Sequence, residues 1–375
     1  MKSLNFAYNP RIDQLRWLAA TLVFCFHFYL EYRGLGGAPL LSQARFGLMS
    51  QGLTGVGLFF TLSGFLFMQI AQRQRAIVYR EFLRNRLLRI VPLYLTIFLL
   101  ATSIGRDRFQ PQDILYLLTS NLGMPPTSGS VVTGAAWSIS LEFLFYMVFP
   151  FLARFALEQG PGYLVKLLAM MLFFKLAAYS VNQKSELMYF STFVGRFDQF
   201  LIGMLAAMLF DRHSIALKRR VWPLPAAVVL VYANSVAQAH YAPFNPALKS
   251  VYWIFWSMQE SGGWACLIVG WLAYPKQLLP VWLERVLTHG GKISFSFYLL
   301  HMALIHVLAQ GFGLQVIFGN VWGDAAIMLL LTYGATWALA TLSFGVLEQP
   351  FLGMRSRYGA TALTLAEMPA RQSGG

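Results

Sequence analysis

In the stretch RWLAATLVFCFH, residues 16–27, an apolar run is bounded by two ionisable side chains. The stretch is nearly all apolar and predicts the first half of a membrane-spanning helix, yet it begins with a guanidinium and ends with an imidazole. Ionisable side chains within a membrane span are costly, so each one needs a reason. Arg16 and His27 are eleven residues apart. In a helix this places both on one face, about 16 Å apart along the axis.

Apolar runs of this kind continue through the 375 residues, of which 57% are hydrophobic and 12% charged. A soluble protein carries about twice that charged fraction. A membrane-spanning helix needs about 20 mostly apolar residues, and about ten runs approach this length. They cover 15–31, 51–71, 91–105, 137–157, 162–181, 192–210, 221–238, 250–273, 292–312 and 324–346. The sequence therefore predicts an all-α polytopic membrane protein with about ten transmembrane helices, one domain over 1–357, and a disordered cytoplasmic tail over 358–375.

The net charge of +14 comes from basic residues that flank the apolar runs. The positive-inside rule accounts for them, so a nucleic-acid partner is not predicted. The basic loops at 72–90, 211–220 and 274–291 fall on the side of the N-terminus if every run crosses. This predicts both termini in the cytoplasm. The 72–90 stretch is too polar to span, and we expect an interfacial helix or a helix extension there.

The two cysteines, Cys25 and Cys266, lie within apolar runs and give no disulfide framework. The first apolar run has no convincing small-residue cleavage site, so we expect a retained helix rather than a signal peptide. The 106–136 loop, which contains MPPTSGS, is expected to face outward.

Arg16 and His27 allow two interpretations. In one, Arg16 snorkels to the membrane boundary and His27 is hydrogen-bonded inside the bundle. In the other, Arg16 anchors an anionic ligand and His27 is a reactive imidazole at the far end of that ligand. Asp13 lies three residues before Arg16 and is placed to orient its guanidinium.

Two further runs carry polar residues at helical spacing. Ser138, Glu142 and Tyr146 recur at every fourth position, and Tyr298 and His301 share a face in a later run. Glu142 either pairs with His27 or an arginine, or makes a structural hydrogen bond between helices.

The remaining polar residues favour structural roles. His306 lies five residues after His301 and off its face, and there is no HExxH or Cys/His cluster, so we predict no metal. Arg196 and Asp198 in GRFDQF are more consistent with structure than with catalysis.

Arg86 and Arg89, in FLRNRLLRIVPLY, are three residues apart and can converge on one phosphate. The alternative is topogenic charge and contact with anionic lipid. Gly57 and Gly64 share a face, which permits close helix packing or the passage of a slender ligand. No strand precedes these glycines, so a dinucleotide loop is not predicted.

Several segments, in order along nearly the whole chain, are similar to those of one family. They are RIDQLRWLAATLVFCFH, GVGLFFTLSGFLF, FLRNRLLRIVPLY, WSISLEFLFYMVFP, RFDQFLIGM, ISFSFYLLH and LEQPF. Together they resemble the membrane-bound acyltransferase 3 family, whose bacterial members acetylate O-antigen, exopolysaccharides and nodulation factors. The first segment includes the family's pattern of Arg, ten residues and His, at Arg16 and His27.

The resemblance implies a cytoplasmic acyl-CoA donor, most often acetyl-CoA, a carbohydrate or lipid-linked glycan acceptor, and the bacterial inner membrane. We expect His27 and Glu142 to be catalytic, with Glu142 orienting or charge-balancing the imidazole, and Arg16, Arg86 and Arg89 to bind the donor. The expected supporting residues are Asp13, Trp137, Ser138, Tyr146, Tyr298 and His301.

The chain departs from the family pattern at three places. Gly57 stands where the family often has an acidic residue, Phe143 replaces a frequent second acidic residue, and the positions around Ala303 lack a frequent tryptophan and proline. The alternative functions are transport of an anionic metabolite and flipping of a lipid-linked glycan. A transporter often has two related halves, and none is evident here.

Overall fold

The computed structural model describes residues 8–35, 46–74, 77–104, 134–181, 186–241, 250–313 and 317–357. Side chains of 136 and 186–188 are not described. The MPPTSGS segment and the predicted tail over 358–375 lie outside the described residues.

The described parts of the chain form ten long helices and no strand. They are α1 (Pro10–Gly34), α2 (Thr54–Gln74), α3 (Tyr79–Ile104), α4 (Ala136–Gln159), α5 (Pro161–Val181), α6 (Phe193–Lys218), α7 (Pro223–Tyr241), α8 (Tyr252–Ala273), α9 (Val281–Phe312) and α10 (Val321–Ser343). Short helices cover Gly47–Ser50, Glu186–Ser191 and Gln349–Leu352, and a π-helical turn covers Phe344–Glu348. Each long helix overlaps one predicted run, so the all-helical prediction is confirmed.

Seven of these helices are long and apolar enough to cross a membrane: α2, α3, α4, α5, α6, α9, and α10 with the residues up to Leu352. The chain is therefore a multi-pass membrane protein. The count of ten crossings and the cytoplasmic placement of both termini remain predictions.

The basic stretch before Pro92 belongs to α3, which runs without interruption from Tyr79 to Ile104. We expected either an interfacial helix or a helix extension for the 72–90 stretch. Its second half, from Tyr79, is a helix extension. Proline is tolerated inside membrane helices because neighbouring groups satisfy the freed backbone carbonyl. Arg86 and Arg89 are consequently held on the same rigid helix that enters the membrane.

Small residues allow α2 and α6 to pack with their backbones in contact. A Cβ atom on Gly64 would meet the Phe200 carbonyl oxygen, and one on Gly203 would meet the Thr61 carbonyl oxygen. Close approach of this kind is a common way for membrane helices to associate. Of the two roles expected for Gly64, the structure shows close helix packing, and this contact holds α2 against α6.

Aromatic packing joins α1 to α9 and α10. The Trp17 ring lies edge-on to Phe297 and Trp337, each with centroids 4.7 Å apart, and 5.7 Å from Tyr333. Gly291 of α9 lies against the backbone of Asp13, where a Cβ atom would clash. These contacts fix the face of α1 that carries Arg16 and His27.

Several segments meet at one end of the bundle. Arg11 donates to the backbone carbonyls of Trp271, Tyr274 and Lys276 at 2.6–2.9 Å. Asn85 exchanges two hydrogen bonds with the backbone of Ser356. The start of α1, the end of α8, the start of α3 and the segment after α10 therefore share this end.

Candidate active site

A cavity of about 90 Å³ opens between α1, α2, α3, α4 and α9. Its lining includes seven of the eleven predicted site residues: Arg16, Arg86, Arg89, Ser138, Glu142, Tyr146 and Tyr298. These residues come from four helices that are far apart in the sequence. The structure thus brings the predicted cations and the predicted polar face of α4 to one place.

The cations are held by different neighbours. Arg16 Nη1 donates to Asp13 Oδ1 at 2.9 Å, so the expected pair forms. Asp13 also accepts from the Tyr8 hydroxyl at 2.7 Å. Burial and then this hydrogen bond raise the pKa of the Tyr8 phenol, which keeps the phenol a donor. Arg89 lies 3.9 Å from the Glu348 carboxylate.

Arg86 is held by aromatic faces. Its guanidinium carbon lies 5.0 Å from the Phe67 ring centroid and 5.8 Å from those of Phe82 and Tyr146. Cation–π contacts of this length fix the orientation of a guanidinium plane. A guanidinium presents its N–H donors within that plane, a geometry that matches phosphate.

Hydroxyls and a carboxylate line the part of the cavity formed by α2, α4 and α9. The Ser138 and Tyr298 hydroxyl oxygens are 2.6 Å apart, and Ser63 donates to Glu142 Oε1 at 3.1 Å. Tyr146 lines the same part of the cavity as Glu142. The cavity is therefore cationic on α1 and α3 and hydrogen-bonding on the facing helices.

Two imidazoles meet beyond Tyr298. His301 Nε2 lies 2.9 Å from His27 Nδ1, and His301 Nδ1 lies 2.5 Å from the Tyr298 carbonyl oxygen. His27 Nδ1 is also 3.0 Å from the Val23 carbonyl oxygen. His27 is half-buried, whereas His301 is 1% exposed.

These partners assign the tautomers of a neutral pair. A carbonyl oxygen only accepts, so His301 carries its proton on Nδ1 and its Nε2 is an acceptor. His27 Nδ1 therefore donates to His301 Nε2, sharing its proton with the Val23 carbonyl. The lone pair of His27 is left on Nε2, which is the atom that a base or nucleophile uses.

The side chain that contacts His27 is His301. Glu142 makes a hydrogen bond between helices, with Ser63, which is one of the roles expected for it. The catalytic role of Glu142 stays a prediction. A sequence places residues on helix faces but does not say which faces pack together. The contact between His301 of α9 and His27 of α1 was therefore not predicted.

Trp137 lies apart from the cavity. Its ring is 5.4 Å from that of Phe190 and 5.8 Å from the Arg196 guanidinium carbon. His306 is directed away from His301 and lies 3.0 Å from the Glu31 carboxylate. Among the described residues there is no group of three or more potential metal ligands; the prediction that no metal takes part stays a prediction.

Arg196 and Asp198 belong to a buried charge network that the sequence only partly revealed. Lys175 Nζ lies 2.6 Å from Asp198 Oδ2, and Arg196 Nη1 lies 3.1 Å from Glu260 Oε2. The Glu260 carboxylate fills the space beside Gly57, where a Cβ atom would clash. The contacts support the structural interpretation of this pair, because both cations are fully buried and paired.

Ser63 and Glu348 also contact site residues, but the sequence did not predict this. Ser63 sits in the glycine-rich α2 segment and Glu348 in the LEQPF motif, yet neither position predicts its partner. Glu142 and Arg89 are their partners, and both contacts arise only when distant helices pack.

A second cavity, of about 300 Å³, lies between α1, α9 and α10. Phe28 and Ile305 line it, and these residues follow His27 and His301 closely in the chain. Apart from Glu31, Tyr32 and Thr332, its lining is apolar. This lining suits an apolar group. An anionic ligand is matched better by the first cavity, which three arginines line.

Comparison with known proteins agrees with the motifs. The sequence model of an acyltransferase domain of the acyltransferase 3 type matches residues 9–341. The chain belongs to the acyltransferase 3 family. It is also 25% identical over 368 residues to an acyltransferase of Streptomyces mycarofaciens, MdmB, covering 90% of this chain and 89% of that protein. No solved structure matches. The resemblance inferred from the motifs is thus confirmed, and membership favours acyl transfer over transport.

Proposed function

We propose that this protein is an integral-membrane O-acyltransferase of the bacterial inner membrane. It moves an acyl group, in the simplest case acetyl, from cytoplasmic acyl-CoA to a hydroxyl of a carbohydrate acceptor such as an O-antigen or exopolysaccharide unit. The observation that carries the proposal is the cavity in which Arg16, Arg86 and Arg89 face the hydroxyls of Ser138 and Tyr298.

The charge distribution supports an acyl-CoA donor. CoA combines phosphates with a long, thin pantetheine arm that ends in the thioester. Guanidiniums on α1 and α3 suit the phosphates because each presents several N–H donors in a plane. The hydroxyls and carboxylate on the facing helices suit the amides of the arm, whose N–H groups donate and whose carbonyls accept.

Arg16 and His27 then stand at the two ends of one helical face, about 16 Å apart. In the proposal Arg16 anchors the charged end of the donor and His27 acts where the thioester reacts. The distance is spanned by the arm, which explains why a cation and an imidazole lie three turns apart on α1.

His27 Nε2 is assigned the proton transfer. The acceptor hydroxyl gives its proton to Nε2 as its oxygen attacks the thioester carbonyl. The carbon–sulfur bond then breaks, and the thiolate of CoA takes the proton from the imidazolium. His301 holds the ring by accepting from Nδ1, which keeps the lone pair on Nε2.

The alternative chemistry makes His27 Nε2 the nucleophile, with a short-lived acyl-imidazole. Ping-pong kinetics or an isolable acyl-enzyme supports this course. Ternary-complex kinetics without an acyl-enzyme supports the general base.

The first test is release of free thiol from acetyl-CoA by purified wild type and His27→Ala, with a crude glycan pool as acceptor. We expect thiol from the wild type and none above background from a folded His27→Ala protein. His213→Ala, at an exposed site on α6, serves as the matched control. If the His27 variant keeps its activity, the assigned chemistry is wrong. If neither protein releases thiol with any pool, the acyl-CoA proposal fails and transport becomes the better explanation.

A further inference from the structure

The carboxylate of Glu348 is buried beside the cavity without lining it. It lies at the last residue of the π-helical turn Phe344–Glu348 and is 1% exposed. Oε1 accepts from the Ser296 hydroxyl at 2.5 Å, and that hydroxyl lies 3.1 Å from Ser343 Oγ. Oε2 has no hydrogen-bond partner among the described residues. A buried carboxylate oxygen in this state calls for an explanation.

The nearest cation is Arg89, whose Nη1 lies 3.9 Å from Oε2. This separation is that of an ion pair and is too long for a hydrogen bond. The attraction directs the guanidinium without occupying its N–H donors. Phe295 supports the same guanidinium, with the ring centroid 5.9 Å from its carbon. Arg89 therefore reaches the cavity with a fixed direction and with donors available to a ligand.

The segment that carries Glu348 is itself fastened to the basic stretch of α3. Asn85 Nδ2 donates to the Ser356 carbonyl at 2.6 Å, and Ser356 N donates to Asn85 Oδ1 at 3.0 Å. The Ser356 hydroxyl also bonds to the Glu81 carboxylate. Residues 344–356 thus bridge α9, through Ser296, to α3, and they set where Arg89 lies relative to the cavity.

We propose that Glu348 is a positioning residue of the donor site, which aims Arg89 at a phosphate of the acyl-CoA. This rests on the proposed function, because it presumes that CoA occupies the first cavity. The π-helical turn fits the assignment, since such turns occur frequently at functional sites. Here the turn gives Glu348 a different angular position from the one that a regular helix would give it.

The test measures binding of CoA itself to the purified full chain. We expect Glu348→Gln to raise the Kd for CoA about tenfold, because the amide keeps the shape and the Ser296 contact but loses the charge. Glu158→Gln, which alters an exposed pair with Arg154, should leave the Kd unchanged. At saturating acetyl-CoA, thiol release by Glu348→Gln should match the wild type, so KM rises while kcat holds.

A double-mutant cycle separates positioning from a general structural role. With Arg89→Ala already present, adding Glu348→Gln should change the Kd no further, since the residue it positions is gone. A second rise in that background, or an unchanged Kd in the single variant, overturns the inference. If Glu348→Gln does not fold, Ser296→Ala provides the substitute: it retains the carboxylate, removes its hydrogen bond, and should raise the Kd by a smaller factor.

Failure of the broader proposal gives a different result. If the wild type does not bind CoA, the proposed function fails and this inference fails with it. If the wild type binds CoA and Arg89→Ala weakens binding while Glu348→Gln does not, the donor site stands and only the role of Glu348 is wrong.

Discussion

His301 Nε2 lies 2.9 Å from His27 Nδ1, across the contact between α9 and α1. Nearer the start of both helices, the Trp17 and Phe297 rings pack with their centroids 4.7 Å apart, and this contact holds the two helices together. The imidazole that the first helix exposes is consequently oriented by a second, fully buried imidazole.

His301 should act through His27. We expect His301→Gln to lower kcat by about 10- to 100-fold, less than His27→Ala, because the amide oxygen of glutamine can still accept from His27 Nδ1. His301→Leu should lower it further. Steady-state thiol release measures the effect, and the KM for acetyl-CoA should hold. His306→Gln is the control, since His306 pairs with Glu31 instead. Equal activity of His301→Leu and wild type would show that the imidazole contact is only packing.

The arginines should govern donor affinity. Arg86→Ala should raise the KM for acetyl-CoA about 10-fold or more, whereas Arg86→Lys should recover only part of the loss because lysine lacks the planar donor edge. Arg154→Ala, at an exposed position on α4, should have no effect. Steady-state titration with acetyl-CoA provides the measurement. A fall in kcat at unchanged KM would contradict the assignment.

The close contact of α2 and α6 should be sensitive to side-chain size. Gly203→Leu forces a side chain into the Thr61 carbonyl, and overpacking of this kind costs about 1–3 kcal/mol or more. We expect a lower melting temperature in detergent. Gly262→Leu is the matched control, because a Cβ atom there meets nothing within 4 Å. Equal melting temperatures of the two variants would mean that the helices separate easily.

The buried pair of Lys175 and Asp198 should show strong coupling. Lys175→Met leaves the Asp198 carboxylate buried without its cation, and we expect a loss of about 3–5 kcal/mol in the free energy of unfolding. Lys175→Met combined with Asp198→Asn should recover most of that loss, because neither charge remains. Thermal unfolding of both variants tests this. Additive losses would show that the two side chains do not interact.

Much of the fold follows from the sequence, because membrane helices leave a strong signal in apolar length. Each predicted run overlaps one of the described helices, and the small size of Gly64 indicated a close helix contact as one of two possibilities. The spacing between Arg16 and His27 is likewise a property of one helix, so it could be read without knowing any neighbour.

Contacts between helices could not be read in the same way. The spacing in the sequence placed Glu142 on a helix face but did not identify its partner Ser63, and it did not reveal that His301 of α9 contacts His27. Lys175 and Glu260 were overlooked since each is a single charge in a long apolar run, and pairing takes place only across α5, α6 and α8.

Hydropathy and local motifs act along the chain, so they were enough to predict a multi-pass helical membrane protein of the acyltransferase 3 type. The packing of the helices was needed to show that three arginines from two helices share a cavity, that His301 contacts His27, and that Glu348 faces Arg89. These relationships depend on the rotation and depth of each helix. Backbone contacts at residues such as Gly203 and Gly291 fix both.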